Sequence, residues 1–189
     1  RTLTLTFDLN LANSLIVNTS IISFYLIPIF FIIGLNKFKK LKITDISKTD
    51  YFVFLSSLLL VIFSQLNFNY NPSLGGGFFI KSSVIAFNNL YFFFLTSFIG
   101  IIFIMLIFKE DKKSIILFIL LVFGFSSYQI FQKYFEPMLL ILLFSVIDFS
   151  QIKLILNKNK NIFLFQFYFL IYLILAIIND IFKITKTFV

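Results

Sequence analysis

The chain has 189 residues, of which 60% are hydrophobic and 31 are Phe, more apolar side chains than one water-soluble core of this size can hide. It contains no Cys and no His, which removes disulfides, thiolate nucleophiles, His-ligated zinc or haem and a Ser/His/Asp triad from the chemistry open to it. The formal charge of +8 comes from lysines clustered in short loops between apolar runs; phosphate recognition needs a water-exposed basic face, so nucleic acid is not expected as a partner.

Uniform hydropathy gives no point at which to divide the chain, and positions 1–189 read as a single transmembrane helical domain. The expected fold class is all-α: a polytopic transmembrane bundle of about six spanning helices with short loops. Arg1 in place of Met leads to the expectation of a fragment of a larger membrane protein. Heavy use of Phe, Ile, Lys and Asn is what an AT-rich genome selects among interchangeable residues, so abundant Phe is not itself a sign of aromatic function.

A spanning helix needs about 20 mostly apolar residues, with shorter runs tolerated where the bilayer thins. The first such segment runs from Ser14 to Leu35 and contains Pro28, which is expected to kink it while a neighbouring helix satisfies the freed carbonyl. The second, Tyr51 to Leu66, follows Thr49 and Asp50, residues suited to capping. The third, Ser83 to Phe108, reads as one long helix in which Asn88 and Asn89 are helix-to-helix hydrogen-bond partners. The fourth runs from Ser114 to Phe131 and turns polar in its last turn. The fifth is expected to start at Pro137, a favourable first helical residue, and to reach Ile152; the sixth covers Ile162 to Phe182.

Loop charge then sets orientation through the excess of basic residues on the cytoplasmic side. Lys37, Lys39, Lys40, Lys42 and Lys48 follow the first segment, Lys109, Lys112 and Lys113 the third, and Lys153, Lys158 and Lys160 the fifth. The other side carries Arg1, Lys81, Lys133, Lys183 and Lys186, so eleven basic residues face five. The three lysine loops are placed in the cytoplasm and both ends outside, in a bacterial inner membrane. No small-xxx-small pair of glycines is present, so packing rests on Phe, Leu and Ile shape with isolated Ser, Thr and Gly.

Two loops on the expected outer face carry the candidate chemistry. NFNYNPSLGGGFFIK, Asn67 to Lys81, holds Gly75, Gly76 and Gly77, a run able to bring backbone amides close to an anionic ligand; the competing reading is a turn or re-entrant bend. SSYQIFQKYFEP, Ser126 to Pro137, gathers Tyr128, Gln129, Gln132, Lys133, Tyr134 and Glu136. If the fourth helix continues through it, Gln129, Lys133 and Glu136 share a face, where Lys133 and Glu136 either pair with each other or both address a substrate. The competing reading is an interfacial belt with Glu136 as a cap. Asp50, Asp148 and Asp180 read as a cap and two interfacial partners of nearby lysines rather than a proton relay.

Lys133 and Tyr134, followed two residues later by Pro137 opening a membrane helix, resemble a late extracytoplasmic element of polytopic glycosyltransferases of the GT-C type. The resemblance covers these residues and the general architecture. It implies a lipid-phosphate-linked sugar donor close to the basic and aromatic groups here, Lys133, Tyr128 and Tyr134; the reading of the two loops adds Gln129, Gln132 and Gly75 to Gly77 as candidate binding residues. Those families place a catalytic acid in their first outer loop; Asp8, ahead of the first segment, is the counterpart here, with Glu136 as the second catalytic candidate. No cofactor or metal is expected, and the partners are membrane lipid and a lipid-linked sugar. Two other classes remain open: a transporter or permease subunit, for which mid-membrane polar residues and broken, repeated helices are the mark and neither is evident in the sequence, and a structural subunit of a membrane complex.

Overall fold

The computed structural model describes residues 10–37, 48–110, 114–124, 130–146 and 157–187. Every regular element among them is helical. In chain order these are α1 (Leu11–Lys37), α2 (Lys48–Leu66), a short 3₁₀ turn (Pro72–Leu74), α3 (Gly77–Phe87), α4 (Tyr91–Glu110), α5 (Ser114–Gly124), α6 (Gln132–Ile141) continuing into a π turn (Leu142–Val146), and α7 (Asn159–Thr187).

α1 begins three residues earlier than its apolar run because Asn10 caps it. The Asn10 side-chain oxygen accepts from the amides of Ala12 at 3.0 Å and Asn13 at 3.2 Å, two of the donors a helix start leaves without partners. Pro28 lies inside α1 and lacks the N–H that would pair with the Phe24 carbonyl four residues back. The Tyr168 hydroxyl of α7 donates to that carbonyl at 3.0 Å, so a neighbouring helix supplies the missing bond and α1 runs on to Lys37.

The third expected segment is not one helix. α3 ends at Asn88, which adopts the left-handed conformation at φ 50, a region Asn tolerates better than most side chains. Asn89 then accepts from the Tyr91 amide at 3.1 Å and donates to the Phe87 carbonyl at 2.9 Å. The two asparagines expected to bond between helices therefore separate α3 from α4. Ser83 closes the corner by donating to the Asn89 carbonyl at 2.7 Å and accepting from the Phe93 amide at 3.3 Å.

The fourth and fifth segments also differ from expectation. α5 is described to Gly124, and Phe131 is extended at φ −107, ψ 130, so no single helix carries Ser114 through Phe131. α6 starts at Gln132 and holds Pro137 inside it rather than at its first position. Two helices are long and apolar enough to cross a bilayer, Leu11–Ile33 and Asn159–Ile178; the apolar parts of α2, α3, α4 and α5 are shorter.

α1 is the hub, packing against all six other described α-helices. Its tightest seam is with α4. Thr19 and Ser97 share a hydrogen bond at 2.7 Å, Ser20 and Thr96 one at 2.8 Å, and Gly100 lets the Thr19 carbonyl approach where any Cβ would collide. Phe30 and Phe103 stack at 4.0 Å further along. The Asn18 amide donates to the Val122 carbonyl in the last turn of α5 at 2.6 Å. Polar side chains thus line the centre: Ser14, Asn18, Thr19, Ser20 and Ser23 of α1 are all buried. The outside is apolar. The most apolar window of α7 has mean hydropathy 2.3 yet is only 6% buried, against 2.2 and 78% for α1.

Candidate functional site

Two loops far apart in sequence meet beside the middle of α1. Asn67 and Asn69, just past α2, sit at its beginning: Asn10 donates to the Asn67 carbonyl at 3.1 Å and to the Asn69 side chain at 2.9 Å, and the Asn13 side chain accepts from the Asn69 amide at 3.0 Å. From there the chain travels along α1 to Gly77, which lies against Ile21, ten residues or about 15 Å from Leu11 at the helical rise. Tyr25, still further along, receives the Gln132 side chain.

The triglycine run is what this descent requires. Gly75, Gly76 and Gly77 have φ of 130, 81 and 84, conformations L side chains rarely adopt. A Cβ on Gly75 would strike the Ile130 carbonyl, and one on Gly77 would come within 2.9 Å of Ile21 and 3.0 Å of Gln132. The Gly76 amide donates to the Ile130 carbonyl at 2.7 Å, and the Ile130 amide donates to the Tyr70 hydroxyl at 3.0 Å. Burial pushes the Tyr70 hydroxyl above the ordinary tyrosine range, with the Ile130 bond pulling the other way, so the group stays protonated and donates to the Leu74 carbonyl.

Gln132 completes the lock. Its side-chain oxygen accepts from the Phe78 amide at 2.8 Å, satisfying an orphan donor at the start of α3, and its nitrogen donates to the Tyr25 hydroxyl at 3.3 Å. The Gly76 amide, one of those expected to approach an anion, is thus spent on a protein acceptor, as is the neighbouring Phe78 amide, and Gly75 to Gly77 form a turn docked against Ile130 and Gln132.

α6 places the remaining candidates. Lys133, Tyr134 and Glu136 are exposed in its first two turns. Lys133 lies over the rings of Phe131 at 5.5 Å and Tyr134 at 5.3 Å, a cation–π arrangement, and no carboxylate pairs with it among the described residues. The expected Lys133–Glu136 pairing is therefore not made. Tyr128, Gln129, Asp8 and Asp148 lie outside the described residues, as do the side chains of Asp50 and Asp180.

Behind α6 stands an aromatic cluster that sequence reading passed over. The Phe24 ring has Tyr25, Phe78, Phe79, Tyr168, Phe169 and Tyr172 around it at 4.7 to 6.1 Å between centroids. Glu136 lies within electrostatic range of the hydroxyls of Tyr25 and Tyr172. A signal was present: Tyr168 and Tyr172 stand four apart, on one face, in the middle of an apolar span.

The assembled site offers an ammonium that has no counter-ion among the described residues, a carboxylate one turn along the same helix, a helix start that favours negative charge, and an apolar surround. Such a set suits an amphipathic anion carrying hydroxyl groups. No family model, curated protein or solved structure matches this chain.

Proposed function

We propose that the chain is an integral protein of a bacterial inner membrane, crossing it six times, and that its α6 site handles a lipid-linked sugar in glycosyl transfer. The apolar outside supports the membrane location: Leu, Ile and Phe of α2 and α7 face outward, while hydroxyl and amide side chains of α1 are buried among the apolar residues of the core. Water would penalise that surface heavily, and hydrocarbon would not. In this reading α1, α2, α4, α5, α6 and α7 make the six passages, with the lysine loops cytoplasmic, and α3 is a re-entrant arm.

The observation that carries the functional reading is Lys133, exposed in the first turn of α6 and without a carboxylate partner among the described residues, with Glu136 three residues on. Lys133 neutralises the phosphate of the lipid carrier, and Glu136 or Asp8 takes the proton from the acceptor hydroxyl, a contribution of about 10²–10⁴ in rate. Replacing Lys133→Ala and Glu136→Ala separately in the native gene tests this: cell-surface glycan falls in both. Unchanged glycan in both variants overturns the assignment.

A second reading, solute passage, is favoured by the places where α3 and α6 begin. Both start beside the middle of α1 rather than at its ends, the broken-helix pattern that transporters use to build mid-membrane sites. Flux of a labelled solute into proteoliposomes, abolished by Gln132→Met with glycan unaffected, selects it over glycosyl transfer.

A further inference from the structure

Tyr172 of α7 carries a polar group at the edge of the aromatic cluster that the described residues leave open. Its hydroxyl makes no hydrogen bond among the described residues, although its ring packs against Phe24 at 4.7 Å and Phe78 at 5.6 Å. The neighbouring tyrosines are spent, Tyr25 on Gln132 and Tyr168 on the Phe24 carbonyl. Tyr25 is also 1% exposed, whereas Tyr172 is half-buried and open on one side. Glu136 is likewise unpaired and exposed, and it stands one turn beyond Gln132 on α6, which aims it at the same edge of the aromatic cluster.

An unpaired hydroxyl and an unpaired carboxylate at the edge of one aromatic floor have a definite preference. The carboxylate accepts from hydroxyl donors, the phenol both donates and accepts, and the floor prefers C–H surface to charge. A pyranose ring presents that combination: neighbouring hydroxyls on its rim and an apolar face. We propose that Tyr172 and Glu136 form the sugar subsite, each bonding a ring hydroxyl, while Lys133, held over Phe131 and Tyr134 near the helix start, serves the phosphate. Tyr25 and Gln132 are positioning residues that fix α6 against α1 behind it. This inference rests on the lipid-linked sugar reading and divides its ligand between two sets of residues.

The chain contains no Trp, so Phe78→Trp places a single reporter beside Tyr172 without touching the subsite hydroxyl. The protein in lipid nanodiscs is titrated with octyl glucoside below its micelle-forming concentration and, separately, with dodecyl phosphate. Saturable change in emission is expected with both. The glucoside affinity drops about tenfold in Tyr172→Phe and by at least as much in Glu136→Gln, the scale of one lost hydrogen bond. Dodecyl phosphate binding is unaltered by Tyr172→Phe and lost in Lys133→Ala. Glucoside binding that is absent, or equal in all variants, overturns the subsite; if dodecyl phosphate still binds through Lys133, the lipid-phosphate reading survives it. Failure of both probes overturns the two together. Tyr172→Phe keeps the ring, and an unchanged thermal midpoint for that variant shows that any lost affinity is not lost folding.

Discussion

Gly100 and Gly124 are both glycines in helices, and the structure gives them opposite roles. At Gly100 a methyl group would meet the Thr19 carbonyl, which belongs to the backbone of α1 and cannot swing aside; at Gly124 nothing lies within 4 Å. Gly100→Ala is expected to destabilise the fold by about 2–3 kcal/mol by forcing α1 and α4 apart. Gly124→Ala is expected to be neutral or to stabilise by up to about 1 kcal/mol through helix propensity. Thermal unfolding of both variants in the same detergent checks the contrast. Gly75→Ala belongs with Gly100, since it combines positive φ with a collision at the Ile130 carbonyl. Gln132→Met keeps the size of the side chain but strands the Phe78 amide, at a cost of about 1–3 kcal/mol. None of these distinctions is visible in composition, because they depend on which backbone a glycine happens to face.

Pro28 and Tyr168 show how one element repairs another. The proline removes a bond inside α1, and α7 restores it from outside. Tyr168→Phe is therefore expected to cost about 1 kcal/mol when Pro28 is present. In a Pro28→Ala background the restored amide pairs with Phe24 itself, and the same substitution costs less. A double-mutant cycle on unfolding free energy reads the difference directly, and additivity of the two changes rules out the repair. The α3–α4 corner offers a second test at this scale. Asn88→Gly is tolerated there because glycine adopts the left-handed conformation freely, while Asn88→Val costs about 1–2 kcal/mol. The existence of most helices was legible from apolar runs and caps, and so was the need for an outside partner at Pro28. The break at Asn88 was not, because an Asn pair within an apolar run reads equally as interhelical glue or as a cap. Pro137 misled in the reverse direction: the sequence pattern marks it as a helix start, but the extended residue Phe131 had already let α6 begin at Gln132.

For the whole molecule, the six-passage reading makes a prediction that needs no knowledge of ligand. In a chain without cysteine, Ser73→Cys, in the outer loop, reacts with a membrane-impermeant thiol reagent in intact cells, and Ser114→Cys, beyond a lysine loop, reacts only after the membrane is opened. Equal labelling of both overturns the topology. The candidate site was partly legible at this scale. Both loops that form it stood out in the sequence, Gly75 to Gly77 by backbone freedom and Gln132 to Glu136 by polarity. Their meeting was not legible, since nothing local links Gly76 to Ile130 or Phe78 to Gln132 across more than fifty residues. The tyrosines escaped notice because, in an apolar span, a phenol looks like one more large ring until its hydroxyl is seen to have a job or to lack one.

The enclosure of α1 bears on how the protein is made. Thr19 and Ser97 are 78 residues apart, an interval of about 4–16 s at ordinary rates of synthesis. Throughout that delay the earliest described helix holds a row of hydroxyl and amide groups for which its final neighbours do not yet exist. If the chain is inserted into a membrane as proposed, it needs a temporary custodian at the insertion machinery, and slowing translation between α1 and α4 should lengthen that custody and expose the unfinished protein to membrane proteases.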